Sequence, residues 1–104
     1  MDIFGHFYFE ILPDGTLTGK YANKVRPILE PETAKPSAKE EKPLLGKYHT
    51  NWEEAGVKHE AELSIIAGKS EGHYELIWKQ NDTIIYSGNG FIYDDMLIGH
   101  YWKA

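Results

Sequence analysis

The chain has 104 residues, of which 41% are hydrophobic, 26% are charged and 13% are aromatic, and its net charge is −5. This length suits one compact domain over residues 1–104, and the composition is ordinary for a soluble globular protein. Acidic residues outnumber lysine and arginine 16 to 11. Phosphate groups and anionic membranes attract basic surfaces, so we expect neither a nucleic-acid partner nor a membrane partner.

The absence of cysteine excludes disulfide bonds, zinc–thiolate sites and a thiol nucleophile. No apolar run approaches the roughly 20 residues that a transmembrane helix needs. The start of the chain also lacks the basic and apolar segments that are typical of a signal peptide. We therefore expect a cytoplasmic protein.

Two strands joined by a tight turn are predicted at the start of the chain. Apolar and polar residues alternate over Ile3–Leu12 and again from Thr16 to about Val25, which is typical of strands with one buried face. Pro13-Asp14-Gly15 lies between them. Proline presets φ and glycine accepts a positive φ, so this segment is predicted to turn.

Residues 26–43 are predicted to form a long mobile loop. The segment holds four prolines and many charged residues but few large apolar ones, a composition typical of segments without regular structure. A loop of this length is unusual in so small a domain and is often functional. Two interpretations stay open: a disordered insertion, or a lid over the mouth of a cavity.

Five more strands are predicted after this loop, and none has the apolar spacing of a helix. They are Leu44–Trp52, Val57–Ala67, Gly72–Gln80, Thr83–Tyr93 and Met96–Lys103. The predicted fold is all-β, an antiparallel up-and-down meander that forms a small barrel of seven or eight strands. Seven strands leave an unpaired edge, which promotes association. Either Ile28–Leu29 adds a short strand, or a second subunit covers the edge.

The tripeptide Gly-x-Tyr occurs four times at nearly even intervals. The copies begin at Gly19, Gly46, Gly72 and Gly99. Residues two apart in a strand share a face, so each copy places a glycine beside a tyrosine on one surface. Small residues next to large ones are typical of the inner wall of a small tapered barrel.

Parts of the chain resemble the avidin and streptavidin family. The motifs are Asp14-Gly15-Thr16-Leu17-Thr18-Gly19-Lys20-Tyr21, Leu44-Leu45-Gly46-Lys47-Tyr48, Trp78-Lys79-Gln80-Asn81 and Tyr86-Ser87-Gly88. Proteins of that family are eight-stranded barrels that hold biotin in an aromatic cavity, and lipocalins share this architecture more loosely. The predicted loop at 26–43 falls where the family carries its ligand-covering loop. The resemblance implies an avidin-like or lipocalin-like barrel.

The resemblance also indicates which residues face a ligand. Tyr21 falls on a family tyrosine that hydrogen-bonds the ureido oxygen of biotin, and Asn23 stands where the family has serine or threonine. Trp78 matches one of the tryptophans that form the wall of the family's ligand cavity, and Tyr86 replaces another. However, Ile84 falls where a family hydroxyl bonds the ligand sulfur, and the ligand residues of the family's first and last strands have no counterpart. A site that lacks these polar partners loses affinity, so we do not expect biotin.

We predict a non-enzymatic protein that binds a small apolar or aromatic molecule inside the barrel, without a cofactor. The predicted ligand-binding residues are Tyr21, Asn23, Tyr48, Trp52, Tyr74, Trp78, Tyr86 and Tyr101. In the alternative, the same side chains simply fill the barrel, as they can in barrels of eight strands or fewer. The protein is then a structural or interaction module that forms a homodimer through an edge or an outer apolar set. That outer set comprises Phe4, Tyr8, Ile77 and Trp102.

No catalytic or metal-binding pattern stands out in the sequence. The five histidines have neither HxH nor HExxH spacing, and there is no nucleophile elbow or phosphate loop. Glu60 and Glu62 share one face of a strand, but alternating charge on the solvent side of a sheet accounts for them. We predict no catalytic residues and no metal site, and an enzyme with a histidine at the barrel mouth is the weaker alternative.

Overall fold

The computed structural model of the chain describes residues 2–39 and 43–104. These residues form eight β-strands and no helix. The strands are β1 (Gly5–Ile11), β2 (Leu17–Asn23), β3 (Glu30–Lys39), β4 (Gly46–Glu54), β5 (Val57–Ala67), β6 (His73–Gln80), β7 (Thr83–Tyr93) and β8 (Met96–Lys103). In the described part of the chain, no helix is long and apolar enough to cross a membrane.

The eight strands form one closed antiparallel barrel. Each strand pairs with its neighbours in sequence, and β1 pairs with β8 to close the sheet. The predicted all-β meander barrel is confirmed, with eight strands in place of the seven counted from the sequence. Closure leaves no open sheet edge, so the edge argument for a homodimer no longer applies.

Short turns of one kind join three of the strand pairs. They are Ala55-Gly56 between β4 and β5, Asn81-Asp82 between β6 and β7, and Asp94-Asp95 between β7 and β8. All six residues have φ between 51° and 81°, as in the two-residue turns whose twist matches that of the flanking strands. The predicted turn before β2 is also confirmed, since Asp14 Oδ1 accepts a 2.9 Å hydrogen bond from the Thr16 backbone N–H.

Strand β3 is the main departure from the prediction. The long loop predicted for residues 26–43 is wrong for residues 30–39, which pair with both β2 and β4. The short strand considered at Ile28–Leu29 is not present, and both side chains are exposed. Residues 40–42 of the predicted loop lie outside the described residues.

The two prolines of β3 lie where the strand has a neighbour on one side only. Pro31 pairs with Lys20 of β2, before the pairing with β4 begins at Glu32. Pro36 pairs with Tyr48 of β4, after the pairing with β2 has ended, and a register shift follows it. Proline cannot donate a backbone hydrogen bond, so it is tolerated at such half-paired positions and at bulges.

Two glycines of the Gly-x-Tyr repeat lie where neighbouring strands come very close. A Cβ atom on Gly19 would lie 1.8 Å from the Tyr8 carbonyl oxygen, and one on Gly99 would lie 2.0 Å from the Asn89 carbonyl oxygen. Any other residue would force the strands apart, so these glycines allow the sheet to curl. Gly72 differs, because it precedes β6 with a φ of 79° and belongs to a turn.

One end of the barrel is packed with apolar side chains. This closed end is where β1, β3, β5 and β7 finish. Its interior residues are at most 1% exposed, and they are Phe9, Leu17, Ala34, Ile65, Leu76 and Leu97. Burial of these side chains supplies much of the hydrophobic stabilisation of the fold.

Candidate ligand pocket at the open end

A pocket lies at the opposite end, where β1, β3, β5 and β7 begin. We call it the open-end pocket. Seven of the eight strands contribute to its wall, which is formed by Phe7, Tyr21, Asn23, Glu32, Trp52, Glu54, Trp78, Tyr86 and Tyr101. The two-residue alternation of each strand turns these side chains inward. The wall is therefore mainly aromatic, with one amide and two carboxyl groups.

The pocket is small. The empty space between its side chains is about 370 Å³ including the solvent at its mouth, but the centre of a water molecule can occupy only about 20 Å³ of it. A single water needs roughly 10–15 Å³ measured in this way. The side chains as they stand therefore leave room for one water or a group of similar size.

Glu32 carries the buried carboxyl group of the pocket. Its side chain is 6% exposed, and its Oε2 atom accepts hydrogen bonds from Thr50 Oγ1 at 2.6 Å and from Trp78 Nε1 at 3.0 Å. The bond to Trp78 crosses the barrel from β3 to β6. Within residues 2–39 and 43–104, no donor bonds to Oε1 and no cationic side chain pairs with Glu32.

The environment of Glu32 favours its protonated form. Burial raises the pKa of this carboxyl group from 4.5 to about 7, although the hydrogen bonds from Thr50 and Trp78 lower it in part. A carboxylate buried without a cation is costly, so near neutral pH the group is divided between its two forms. The protonation of Glu32 can therefore change when a charged group enters the pocket.

Aromatic rings surround the space above Glu32. Tyr101 is the common neighbour: its ring centroid lies 6.0 Å from that of Trp78 and 5.3 Å from that of Tyr86. The ring of Phe7 meets Trp78 edge-on at 5.8 Å. These separations are typical of favourable aromatic contacts, so the walls hold one another in place.

Polar groups fix the position of two tyrosines. The Tyr21 hydroxyl donates to the backbone carbonyl of Glu53, and the Tyr101 hydroxyl accepts from Asn23 Nδ2 at 3.1 Å. Asn23 is itself held by the backbone N–H groups of Val25 and Arg26, which donate to its Oδ1. Asn23 thus orients Tyr101.

The tyrosine hydroxyl groups report a negative potential in the pocket. Burial raises the pKa of Tyr101 to about 12, and the carboxylates of Glu32 and Glu54 add to this effect. Burial and the same two carboxylates also raise the pKa of Tyr86. A negative field makes it harder to create a phenolate and favours positive charge at the same place.

The mouth of the pocket is covered on one side by Phe4. Its ring stacks on Tyr86 at a centroid distance of 6.3 Å and meets Tyr101 edge-on at 5.9 Å. Lys103 Nζ lies 4.6 Å from the Phe4 ring centroid, so a cation already contacts an aromatic face at this rim. Phe4, which the sequence predicts in an outer apolar set, packs instead against the rings at the barrel mouth. The other members of that set, Tyr8, Ile77 and Trp102, are half-buried.

The structure brings six of the eight predicted ligand residues into the pocket. They are Tyr21, Asn23, Trp52, Trp78, Tyr86 and Tyr101. Tyr48 and Tyr74 lie elsewhere. The buried Tyr48 hydroxyl donates to the Leu44 carbonyl oxygen at 2.8 Å, and the half-buried Tyr74 is opposite Ala67, near the closed end. Whether the six bind a ligand stays a prediction.

Sequence reasoning missed three pocket residues. Phe7 belongs to the first predicted strand, Ile3–Leu12, but not to the predicted site. Glu54 falls between the predicted strands Leu44–Trp52 and Val57–Ala67, and Glu32 falls in the predicted loop at 26–43. The signal for Glu32 is the alternation of β3, in which Glu32 and Ala34 are buried while Pro31 and Lys35 are exposed.

The described residues contain no group of three or more histidine, aspartate or glutamate side chains placed to hold a metal ion. No protein-family model, no curated protein and no solved structure matches this chain. No relative therefore indicates the function, and the open-end pocket is the feature that bears on it.

Proposed function

We propose that the protein is a non-enzymatic binder of a small molecule, and that the open-end pocket is its binding site. One observation carries this proposal: a buried carboxyl group lies at the base of an aromatic pocket, with one oxygen that bonds to no donor in the described chain. Binding sites combine apolar walls with a few polar groups of this kind.

The difference between the two barrel ends supports the same proposal. A barrel that is only a stable scaffold has no need for a carboxyl group inside, since burial without a cation is costly. The six interior residues of the closed end are apolar, and the buried Thr50, opposite Ala34, donates its hydroxyl to Glu32. The partial resemblance to avidin-like and lipocalin-like barrels, which hold their ligands inside, also favours a pocket at a barrel mouth. Biotin is not the ligand we propose.

The small volume limits what can enter the pocket without rearrangement. A larger ligand has to displace side chains at the mouth, where Tyr86 and Phe4 are only partly buried. A small ligand fits with little movement. We therefore place the entrance beside Tyr86, between the end of β4 and the start of β7.

The second candidate function is a filled barrel that acts as an interaction module. It is favoured by the same small volume and by apolar side chains on the rim of the open end. Val25, Ile28, Leu29, Val57 and Ile84 are between 42% and 76% exposed. A homodimer formed through this rim is the form of this alternative that the structure suits best, since the barrel has no open edge.

A native mass spectrum of the protein purified from its source tests the proposal. We expect a bound small molecule that is released when the protein unfolds. The matched variants are Tyr86→Ala inside the mouth and Tyr8→Ala on the outer face, and only the first should lower the bound fraction. A bare polypeptide mass in the wild type, together with a dimer, would favour the interaction module instead.

A further inference from the structure

We propose that the ligand of the open-end pocket is a small organic cation with an ammonium group, and that Glu32 is its counter-ion. This inference rests on the proposed function, because it names the chemical class that the same pocket accepts. The sequence predicts an apolar or aromatic ligand, because it places Glu32 in a loop outside the site. The structure places Glu32 in the pocket wall, and a cation is therefore the ligand class that we propose.

Glu32 has no cationic partner among the described residues. Glu32 is 94% buried, and both of its hydrogen bonds come from neutral donors on Oε2. The ion pairs in the described chain lie elsewhere, between Arg26 and Glu30 and between His49 and Glu60. Buried carboxylates are usually paired with a cation. A cationic ligand would supply the partner that Glu32 lacks among the described residues.

The walls of the pocket are mainly aromatic. The faces and edges of Phe7, Trp78, Tyr86 and Tyr101 enclose the space next to Glu32. Aromatic faces attract cations, and cages of several rings recognise methylated ammonium groups. The contact of Lys103 with the Phe4 ring shows the same interaction at the rim.

The field inside the pocket is negative. Glu32 and Glu54 lie on its wall, and both act on the pKa of Tyr21 in the direction that opposes a further negative charge, whereas the nearby Glu30 is paired with Arg26. Such a field attracts cations and repels anions. Carboxylate or phosphate ligands are therefore disfavoured.

The size of the free space also suits an ammonium group. The space admits one water or a group of similar size, and an ammonium group is of that size. An –NH3⁺ group can donate to Glu32 Oε1, while the remainder of a small ligand points to the mouth. A trimethylammonium group is larger and requires Tyr86 to move.

Two pairs of probes test the proposal, each with a cation and an uncharged molecule of similar shape. The pairs are methylammonium with methanol, and choline with 3,3-dimethylbutan-1-ol. Binding is followed by the NMR signal of the Trp78 indole N–H, which donates to Glu32, at constant ionic strength set with sodium chloride. We expect the cations to shift this signal and to bind at least tenfold more tightly than their uncharged partners.

Two isosteric variants complete the experiment. Glu32→Gln keeps the shape of the side chain and should weaken choline and methylammonium at least tenfold. Glu10→Gln, on the exposed outer face of β1, should leave both affinities unchanged. If Glu32→Gln does not fold, Glu54→Gln at the exposed rim is the second variant, with an expected weakening of about threefold from the lost rim charge.

The outcomes separate this inference from the proposed function. Equal binding of the charged and uncharged probes, or undiminished binding of cations by Glu32→Gln, overturns the cation class and leaves a small-molecule site. If neither probe class binds but the protein from its source carries a neutral or anionic small molecule, the cation class alone is overturned. If no probe binds and no bound molecule is found, both proposals are overturned.

Discussion

The two ends of the barrel are built from the same eight strands but from different kinds of side chain. At the closed end, aliphatic residues such as Leu17, Ile65 and Leu97 are completely buried. At the open end, rings surround a buried carboxyl group, and the side chains leave a small void. The contrast indicates that stability and chemistry are divided along the barrel axis, since aliphatic burial stabilises a fold whereas a lone buried carboxyl group does not.

The largest loss of stability is expected from a substitution at the closed end. Leu97→Ala removes a fully buried side chain, and such changes lower the free energy of unfolding by about 2–5 kcal/mol. Urea denaturation of wild type and variant measures the loss. The control is Ile66→Ala, on the outer face of β5 where the side chain is 43% exposed. Equal losses for both variants would show that the closed end is not the stabilising core.

The open end should respond to pH in the opposite sense from an ordinary carboxylate. Folding raises the pKa of Glu32 from 4.5 to about 7, so the folded protein binds more protons than the unfolded chain within this window. The free energy of unfolding therefore carries a contribution from Glu32 that is complete below pH 4.5 and is lost as the pH rises through 7, by about 3 kcal/mol at most.

Glu32→Gln isolates this contribution. The variant cannot lose a proton, so its stability relative to the wild type should increase between about pH 5 and about pH 8. Urea denaturation at both pH values checks this. Glu10→Gln, on the outer face, should follow the wild type at both. If Glu32→Gln keeps the wild-type pH dependence, the carboxyl group is not buried as described.

A smaller effect is expected where the pocket wall is held by a single hydrogen bond. Tyr101→Phe keeps the ring but removes the hydroxyl that accepts from Asn23 at 3.1 Å, and one such bond contributes about 1 kcal/mol. We expect that loss in urea denaturation, together with weaker ligand binding because the ring is less well oriented. Tyr8→Phe on the outer face is the control. An unchanged stability for Tyr101→Phe would mean that Asn23 does not position the ring.

The smallest effect is expected on the outside of the barrel. His49 Nε2 lies 2.8 Å from Glu60 Oε1, with the two side chains 54% and 67% exposed. Exposed polar contacts of this kind contribute little, so His49→Ala should lower the free energy of unfolding by less than about 0.5 kcal/mol. If His49→Ala loses as much stability as Tyr101→Phe, contacts on the outer face stabilise the barrel as strongly as those in the pocket wall. That result would contradict the proposed division of roles along the barrel.

Seven of the eight strands could be predicted from the sequence because one face of each is apolar or aromatic. The turn at Pro13-Asp14-Gly15 was equally clear from its residues. Strand β3 was missed because Pro31, Pro36 and several charged residues suggest a loop, while what makes it a strand is the pairing with β2 and β4. That pairing is a tertiary interaction, and local sequence composition does not report it.

The same limit applied to the pocket. Tyr21, Trp78 and Tyr101 could be predicted because rings in alternating strands mark an inner wall. Glu32 could not, since a glutamate beside prolines is ordinary on a surface, and only the position of β3 between its neighbours turns it inward. Tyr48 was predicted in the site because its side chain is on the inner face of its strand. It lies outside the pocket because the stagger of the strands places it at a different depth along the barrel axis.

The most direct test of the account is the pKa of the Glu32 carboxyl group, measured by NMR with and without choline. Choline keeps its charge at every pH. Tyr21, Tyr86 and Tyr101 stay protonated throughout, because their pKa values are raised. Glu54 and Lys103 are the charged side chains at the rim of the pocket. The ring of His59 stacks on Trp52, so its signals are recorded in the same spectra. We predict a pKa of about 7 for Glu32 in the free protein and a clear decrease when choline binds. A value near 4.5, or one that choline leaves unchanged, would contradict the account.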